Sequence, residues 1–416
     1  MNEIPVIIPY MDQDEVNEVT MVLNSGWVAQ GPKVAEFEEL VASYENVKYG
    51  IATTSCTTAL HLALIAMGVN EKHDCIVPSF TFTATPNSVL YTGATPVFAD
   101  VTLDTYNMDA NALERLIQEQ YDKNLVNKKT GKQLKAIVVV NLFGLCADLP
   151  HINAIAKKYN IEVLQDSACA FGAKINNTME ADFNNITCLS FHPRKSITTG
   201  EGGMVLTNDE LAASKMRALR SHGASISETQ RHKNAGYLLP DFDELGYNYR
   251  MTDIQAAVGV AQMRKMDYIT NTRRTKAHLY NHLIKDMDVD FLISPFVPDG
   301  YFHTYQSYVC VLDAERLGFE LNTSEDIEKA SEFRNRIMQK LDSRGIATRV
   351  GTHATHMLKH YEDRYGFVPN AFINSYKLDK LSITLPLYVQ MSDSEQITVL
   401  NELIKAKNEL LGEVSK

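Results

Sequence analysis

From about Thr54 to Asn208, short apolar runs alternate with stretches of helical spacing. The apolar runs are Cys75–Pro78, Pro96–Asp100, Ala136–Phe143, Ile161–Gln165, Ile186–Phe191 and Met204–Thr207. They are rich in Val, Ile and Phe and do not alternate strictly with polar residues. Strands buried on both faces read this way. Between them, Thr57–Met67, Asn111–Gln120 and His151–Tyr159 carry Leu, Ile and Ala at helical spacing. This pattern predicts an α/β fold with a mainly parallel central sheet covered by helices. Thr252–Met266 reads as a further helix, with Thr252 as its cap. After about Arg273 the alternation stops. A large domain over residues 1–272, including an N-terminal segment, and a smaller C-terminal α+β domain over 273–416 are expected. Two polar stretches interrupt the pattern. Tyr121–Lys135 reads as a surface insertion, and His222–Glu244 as a functional loop or a partner-contacting arm.

Composition narrows the function classes. The chain has 416 residues, 45% hydrophobic and 22% charged, which is ordinary for a soluble globular protein. Its net charge of −11 argues against nucleic acid or an anionic membrane as the main partner. A phosphorylated ligand stays compatible, because backbone N–H groups hold phosphate whatever the overall charge. No apolar run is long enough to span a bilayer. The start, Met1–Pro5, has no basic region followed by an apolar core, so a cytoplasmic location is expected. Cys56, Cys75, Cys146, Cys169, Cys188 and Cys310 are scattered without CxxC spacing, which fits reduced thiols. No HExxH is present, and no carboxylate or cysteine cluster joins His353 and His356, so no metal site is expected.

Ligands in open α/β sheets sit at the carboxyl ends of the strands. Asp166 follows the run Ile161–Gln165; alone it reads equally as a cap or as a functional carboxylate. Thr57 and Thr58 open an apolar helix, as a plain N-cap or as a phosphate seat. Phe82 follows the Cys75–Pro78 run, as core or as a ring-stacking aromatic. Ser190 ends another run, and Lys195 follows on the loop before the next. A flat phosphorylated aldehyde needs an amine, a carboxylate for a ring nitrogen, and a phosphate cup, and these residues supply that set. The cofactor so described is pyridoxal 5′-phosphate (PLP). A dinucleotide reading fails because Gly200-Glu201-Gly202-Gly203 leads into a strand-like run rather than a helix.

Separate blocks of the chain then match one family. They are S-G-W-V-A-Q-G-P (Ser25–Pro32) with E-F-E-E-L (Glu36–Leu40), I-V-P-S-F-T-F-T-A-T-P-N (Ile76–Asn87) and G-A-T-P-V-F-A-D-V (Gly93–Val101). They continue with S-F-H-P-R-K-S-I-T-T-G-E-G-G-M (Ser190–Met204), G-Y-N-Y-R-M-T-D-I-Q-A-A-V-G (Gly246–Gly259) and L-P-L-Y (Leu385–Tyr388). Over nearly its whole length the chain resembles the DegT family of PLP-dependent sugar aminotransferases. The resemblance implies the PLP-dependent transferase fold of the aspartate-aminotransferase type and a homodimer with shared active sites. It implies that Lys195 forms the Schiff base with PLP and shuttles the proton, and that Asp166 partners the ring nitrogen. It also implies that Phe82 stacks on the ring, that Thr57, Thr58 and Ser190 form the phosphate cup, and that Asn248 reaches the phosphate of the neighbouring subunit. Gly31, His192 and His356 fall in motifs near the substrate. Two departures stand out: Cys56 where the family often has Gly, and Cys169 where Gln commonly lies near the ring hydroxyl.

The implied reaction moves an amino group, with L-glutamate as the expected donor, to the ketone of a nucleotide-linked deoxysugar in polysaccharide or antibiotic-sugar biosynthesis. Lys195 works best when partly neutral, and burial by the cofactor is expected to lower its pKa. The alternatives are a cyclitol or small phosphorylated ketone as acceptor, a PLP-dependent sugar dehydratase, and a catalytically silent dimer. Dehydratase relatives usually carry His at the lysine position, so Lys195 speaks against that reading.

Overall fold

A computed structural model describes residues 3–224 and 241–414. Most of the His222–Glu244 stretch therefore lies outside the described residues. The first ten strands are β1 (Tyr49–Thr53), β2 (His73–Pro78), β3 (Phe80–Thr81), β4 (Thr95–Ala99), β5 (Gln133–Val140), β6 (Glu162–Asp166), β7 (Lys174–Ile175), β8 (Thr178–Met179), β9 (Ile186–Ser190) and β10 (Gly203–Thr207). Seven of them form the central sheet in the order β1-β10-β9-β6-β5-β2-β4. The pairs among β4, β2, β5, β6 and β9 are parallel. β10 and β1 add an antiparallel edge.

The sheet is buried on both faces, and β5 shows why its sequence is continuously apolar. Ala136 and Val138 pack with Leu60, Leu62 and Leu64 of the helix Cys56–Ala66. Ile137 and Val139 face the other way, onto Leu113, Ile152 and Ile155 of the helices Ala110–Gln120 and Leu149–Tyr159. Successive residues serve opposite cores, so neither face tolerates a polar position. Truncating one such leucine to alanine costs about 2–5 kcal/mol.

Where the structure departs from the sequence reading, backbone geometry explains it. β5 stops at Val140, and Phe143 has a left-handed φ of 57°, which no strand accommodates. β1 was not foreseen. Gly50 interrupts its apolar run because a Cβ there would lie 2.7 Å from the Glu38 carbonyl oxygen. Tyr121–Lys135 is more than a surface insertion. Tyr121 and Asn127 are buried and donate to Asp74 Oδ2 at 3.0 and 2.9 Å. The helix capped by Thr252 runs over Asp253–Met263, and a second helix, Met266–Asp286, begins after it. That second helix passes without a break through residue 273, the expected domain boundary.

The later strands are β11 (Leu292–Ile293), β12 (Tyr301–Phe302), β13 (Tyr308–Leu312), β14 (His353–Ala354) and β15 (Ser382–Leu385). β11, β13 and β15 form a three-stranded antiparallel sheet. The helices Ser324–Asp342 and Asp393–Val414 supply Phe333, Ile337, Leu400 and Leu403 to its core. The N-terminal residues pack here too: the Ile4 N–H donates to the Gly345 carbonyl at 2.7 Å and the Leu387 N–H to the Val6 carbonyl at 3.0 Å. β14 pairs with β3 in a separate two-stranded sheet, which holds the segment before β15 against the stretch that follows β2.

Candidate active site

A cavity of about 710 Å³ opens where the carboxyl ends of β5, β6 and β9 meet the second sheet. Val140, Asp166 and Ser190, the last residues of those strands, all line it. This is where an open α/β sheet places ligands.

Asp166 is 4% exposed. Its Oδ2 accepts from the Thr85 hydroxyl at 2.7 Å, and Thr85 is linked to the Thr81 hydroxyl at 3.0 Å. Its Oδ1 accepts from the Ala168 N–H at 3.2 Å and the Cys56 thiol at 3.9 Å. Burial pushes the carboxyl above its ordinary value; the Thr85 hydroxyl, the Ala168 N–H, the charge of Lys195 and the Cys56 thiol all act against that.

Lys195 sits on the loop between β9 and β10. The loop is held by the Lys195 N–H donating to the His192 carbonyl at 2.8 Å and the Thr199 N–H donating to the Phe191 carbonyl at 2.9 Å. The Lys195 Nζ donates to the Cys169 sulfur at 3.1 Å. Burial disfavours the ammonium, but Cys169, Cys56 and Asp166 outweigh it and hold the amine above its ordinary value. The expected lowering is thus not set by the protein's own groups, whose balance runs the other way.

The helix Cys56–Ala66 aims its N-terminus at the cavity, with Ser55 as N-cap. Ser55 Oγ accepts from the Thr58 N–H at 3.2 Å, and Thr58 Oγ1 accepts from the Ser55 N–H at 3.1 Å while donating to the Ser55 carbonyl at 2.8 Å. This capping box occupies the Thr58 hydroxyl. Ser55, Cys56 and Thr57 line the cavity; Thr58 is not on its wall. Gly203 lets β10 lie against this turn, since a Cβ there would fall 2.3 Å from the Ser55 carbonyl carbon. Phe82 is 59% exposed on the cavity wall, an unusual setting for a ring that normally goes to the core.

The residues named for substrate divide. His192 is on the wall, half-buried, its Nδ1 accepting from the Arg194 N–H at 3.2 Å. His356 is not. It is fully buried beside Phe372, its Nδ1 2.6 Å from the Ser79 hydroxyl, and burial holds its pKa down at about 4. His353, three residues earlier, takes the wall position. Gly31 is also off the wall. Its N–H donates to Asp253 Oδ1 at 2.7 Å, joining the Ser25–Pro32 block to the Gly246–Gly259 block. Asn248 is exposed, its backbone bridged to Ser221, and lies outside this cavity. Thr85, Arg194 and Gln306 line the site and were not singled out from sequence, although Thr85 stands three residues after Phe82 in a quoted block; Arg349 and His353 line it too, and both lie in the segment Arg349–Tyr361, which from sequence is expected to shape the choice of substrate. No group of three or more metal-ligating side chains occurs among the described residues.

The sequence pattern of the DegT/DnrJ/EryC1/StrS aminotransferase family matches residues 9–404. The chain belongs to that family. It is 32% identical over 408 residues to the spore coat polysaccharide biosynthesis protein SpsC of Bacillus subtilis, covering 98% of this chain and 97% of SpsC. It is 35% identical over 365 residues to GDP-perosamine synthase of Caulobacter vibrioides, covering 87% and 88% of the two chains. Among solved structures, Spr1654 of Streptococcus pneumoniae in its PMP-form superposes with a TM-score of 0.85 at 25% identity, over 98% of this chain and 99% of that one. The same protein was also solved in a PLP-form. The fold is that of the PLP-dependent aminotransferases, and the protein is an enzyme of that kind with PLP as its cofactor.

The cavity's donor set fits that cofactor. An amine and a buried carboxylate face one space, an exposed aromatic ring stands on its wall, and unpaired N–H groups of a helix N-terminus with two hydroxyl side chains, Thr57 and Ser190, complete it.

Proposed function

We propose that the enzyme transfers an amino group, with L-glutamate as donor, to the ketone of a nucleotide-linked deoxysugar used in polysaccharide or antibiotic-sugar biosynthesis. What carries the reading is the meeting of Lys195 and Asp166 in one cavity of a chain from this family. The 35% identity to a GDP-perosamine synthase supports the choice of a sugar acceptor.

Bound PLP supplies an aldehyde carbon for amine exchange and a ring that withdraws electrons. Lys195 is the residue that holds the cofactor covalently and moves the proton at the substrate's reacting carbon. Asp166 would accept the hydrogen bond of the ring nitrogen; Thr85 holds its carboxylate in place. Phe82, exposed on the cavity wall, would cover one face of the ring. Thr57, Ser190 and the helix N-terminus receive the phosphate, and Thr58 serves there by fixing the turn through Ser55. Cys169 sits beside the reacting amine and keeps it oriented. His192 stands on the substrate side.

The enzyme works as a homodimer in the cytoplasm. Asn248, exposed and outside its own chain's cavity, completes the phosphate site of the neighbouring subunit. Gly31 contributes to substrate binding through the same interface. The test is a panel of keto-sugar nucleotides and small phosphorylated ketones, with glutamate consumption and product mass as readouts. An added amine on one keto-sugar nucleotide is the expected result. Loss of water instead, or turnover of only a non-nucleotide ketone, overturns it.

A further inference from the structure

The peptide unit between Arg194 and Lys195 is held on both edges. Its carbonyl accepts from Gln306 Nε2 at 2.5 Å, and its N–H donates to the His192 carbonyl at 2.8 Å. A peptide unit is planar, so two bonds on opposite edges fix the plane, and with it the root of the Lys195 side chain. The amine at the other end has one hydrogen-bond partner among the described residues, the Cys169 sulfur. It rides on a flexible four-carbon stem, so where it stands depends on that root.

The His192 bond lies within the loop; the Gln306 bond comes from outside it. Gln306 is 6% exposed and lies just before β13 of the second sheet. The Ser307 hydroxyl donates to its Oε1 at 3.1 Å, which leaves the amide N–H groups facing Arg194. The turn that carries Gln306 is itself fixed. Tyr305 has a left-handed φ of 50°, and the Thr304 N–H donates to the Gly144 carbonyl at 2.8 Å. A Cβ on Gly144 would lie 2.7 Å from the Tyr305 nitrogen, so the turn packs directly on the backbone after β5.

Arg273 grips this turn. It is 3% exposed, and its Nε donates to the Tyr305 carbonyl at 2.9 Å while its Nη2 donates to the Gln306 carbonyl at 2.5 Å. A buried guanidinium is costly without a carboxylate, and burial alone lowers Arg273 to about 10. Its fork closes on two successive backbone carbonyls instead. Arg273 also stands between two cores. Met266 and Ile269 of its helix pack with Phe191 and Ile197, which flank the Lys195 loop; Ala277, Tyr280 and Ile284 pack in the core of the second sheet.

We propose that Gln306 is a positioning residue for Lys195, anchored by Arg273, so that the packing of the second sheet sets where the reacting amine stands. The inference rests on the aminotransferase reaction proposed above. Proton transfer needs donor and acceptor atoms held close, and a misplacement of about 1 Å costs roughly 10²-fold in rate.

Gln306→Met keeps the side-chain length and removes the donor. Two rates are compared in wild type, Gln306→Met and Arg273→Lys. One is the attachment of PLP to the apoprotein at saturating PLP, followed by absorbance. The other is the single-turnover rate with L-glutamate, and with L-glutamate deuterated at its α-carbon. In Gln306→Met both rates are expected to fall roughly 10- to 100-fold, and the deuterium isotope effect to rise, because proton transfer becomes the slow step. The L-glutamate concentration giving half the maximal rate stays as in wild type. Arg273→Lys should move both rates the same way by less, since an ammonium cannot reproduce the fork. Full PLP uptake at saturation shows that a variant is folded; if Arg273→Lys fails that check, Gln306→Met decides alone. Wild-type rates and isotope effect in Gln306→Met overturn the proposal. So does a higher half-saturating L-glutamate concentration with the maximal rate intact, which would make the amide a substrate contact. Wild-type rates in Arg273→Lys overturn its part as anchor. If no amino donor alters the cofactor of the wild type, the aminotransferase reading fails separately, and the attachment rate still decides the role of Gln306.

Discussion

The Lys195 amine donates to the Cys169 sulfur across 3.1 Å, inside the cavity that also holds Asp166. Cys169 stands where the family commonly has Gln, so sulfur replaces an amide beside the reacting amine. Burial pulls the proton off Lys195, and Cys169 is the leading group that keeps it on. Replacing Cys169 with Ala therefore lowers the pH at which the amine becomes neutral. The pH dependence of the rate at which PLP attaches to the apoprotein should shift to lower pH, because only the neutral amine attacks. An unchanged profile would remove Cys169 from the account.

Thr85→Val deletes the shortest hydrogen bond to Asp166, at 2.7 Å. Hydrogen bonds to charged groups contribute about 1.5–3 kcal/mol, and denaturant unfolding should show a loss of that order. Asp166 already lies above its ordinary value through burial. Its stability contribution is thus full at low pH and falls as pH rises through the folded value. Without Thr85 that value rises further, so the acid limb of the pH–activity profile should move to higher pH.

Glu45 and Glu180 are both fully buried behind β6, and each has one carboxyl oxygen without a partner among the described residues. Burial raises Glu45 to about 7, against the Gly172 N–H at 2.8 Å. Glu180 is pushed up by burial and by Glu45. For an acid raised above its unfolded value, stability is present at low pH and lost as pH rises. Wild type should therefore lose stability between pH 5 and 8. Glu45→Gln should flatten that loss by on the order of 1 kcal/mol or more, read as melting temperature against pH. An equal loss in both proteins would mean that the pair does not titrate there.

Much of this was legible in the chain. The β5 run was visible because both faces are buried, and Lys195, Asp166 and Phe82 because they follow strand ends. What escaped depended on contacts distant in sequence. β1 is an edge strand whose Gly50 yields to the Glu38 backbone. His356 looked like a wall residue by its motif, but its ring turns inward to Ser79, and His353 lines the cavity instead. The segment Arg349–Tyr361 was marked from sequence as shaping the substrate choice, but what brings Arg349 to the site is its backbone pairing with Thr384, which no local pattern announces.

Lys195→Ala should keep the fold and lose turnover by roughly 10²–10⁴-fold or more, the range of a proton-transfer residue. An added small amine such as methylamine should restore part of it. Full activity without Lys195 would place the proton transfer elsewhere.

The most direct measurement is borohydride reduction of the PLP-loaded protein followed by peptide mass spectrometry. The account requires a single phosphopyridoxyl group on Lys195, absent from Lys195→Ala. A label on another lysine, or no label on a protein that has taken up PLP, would contradict it.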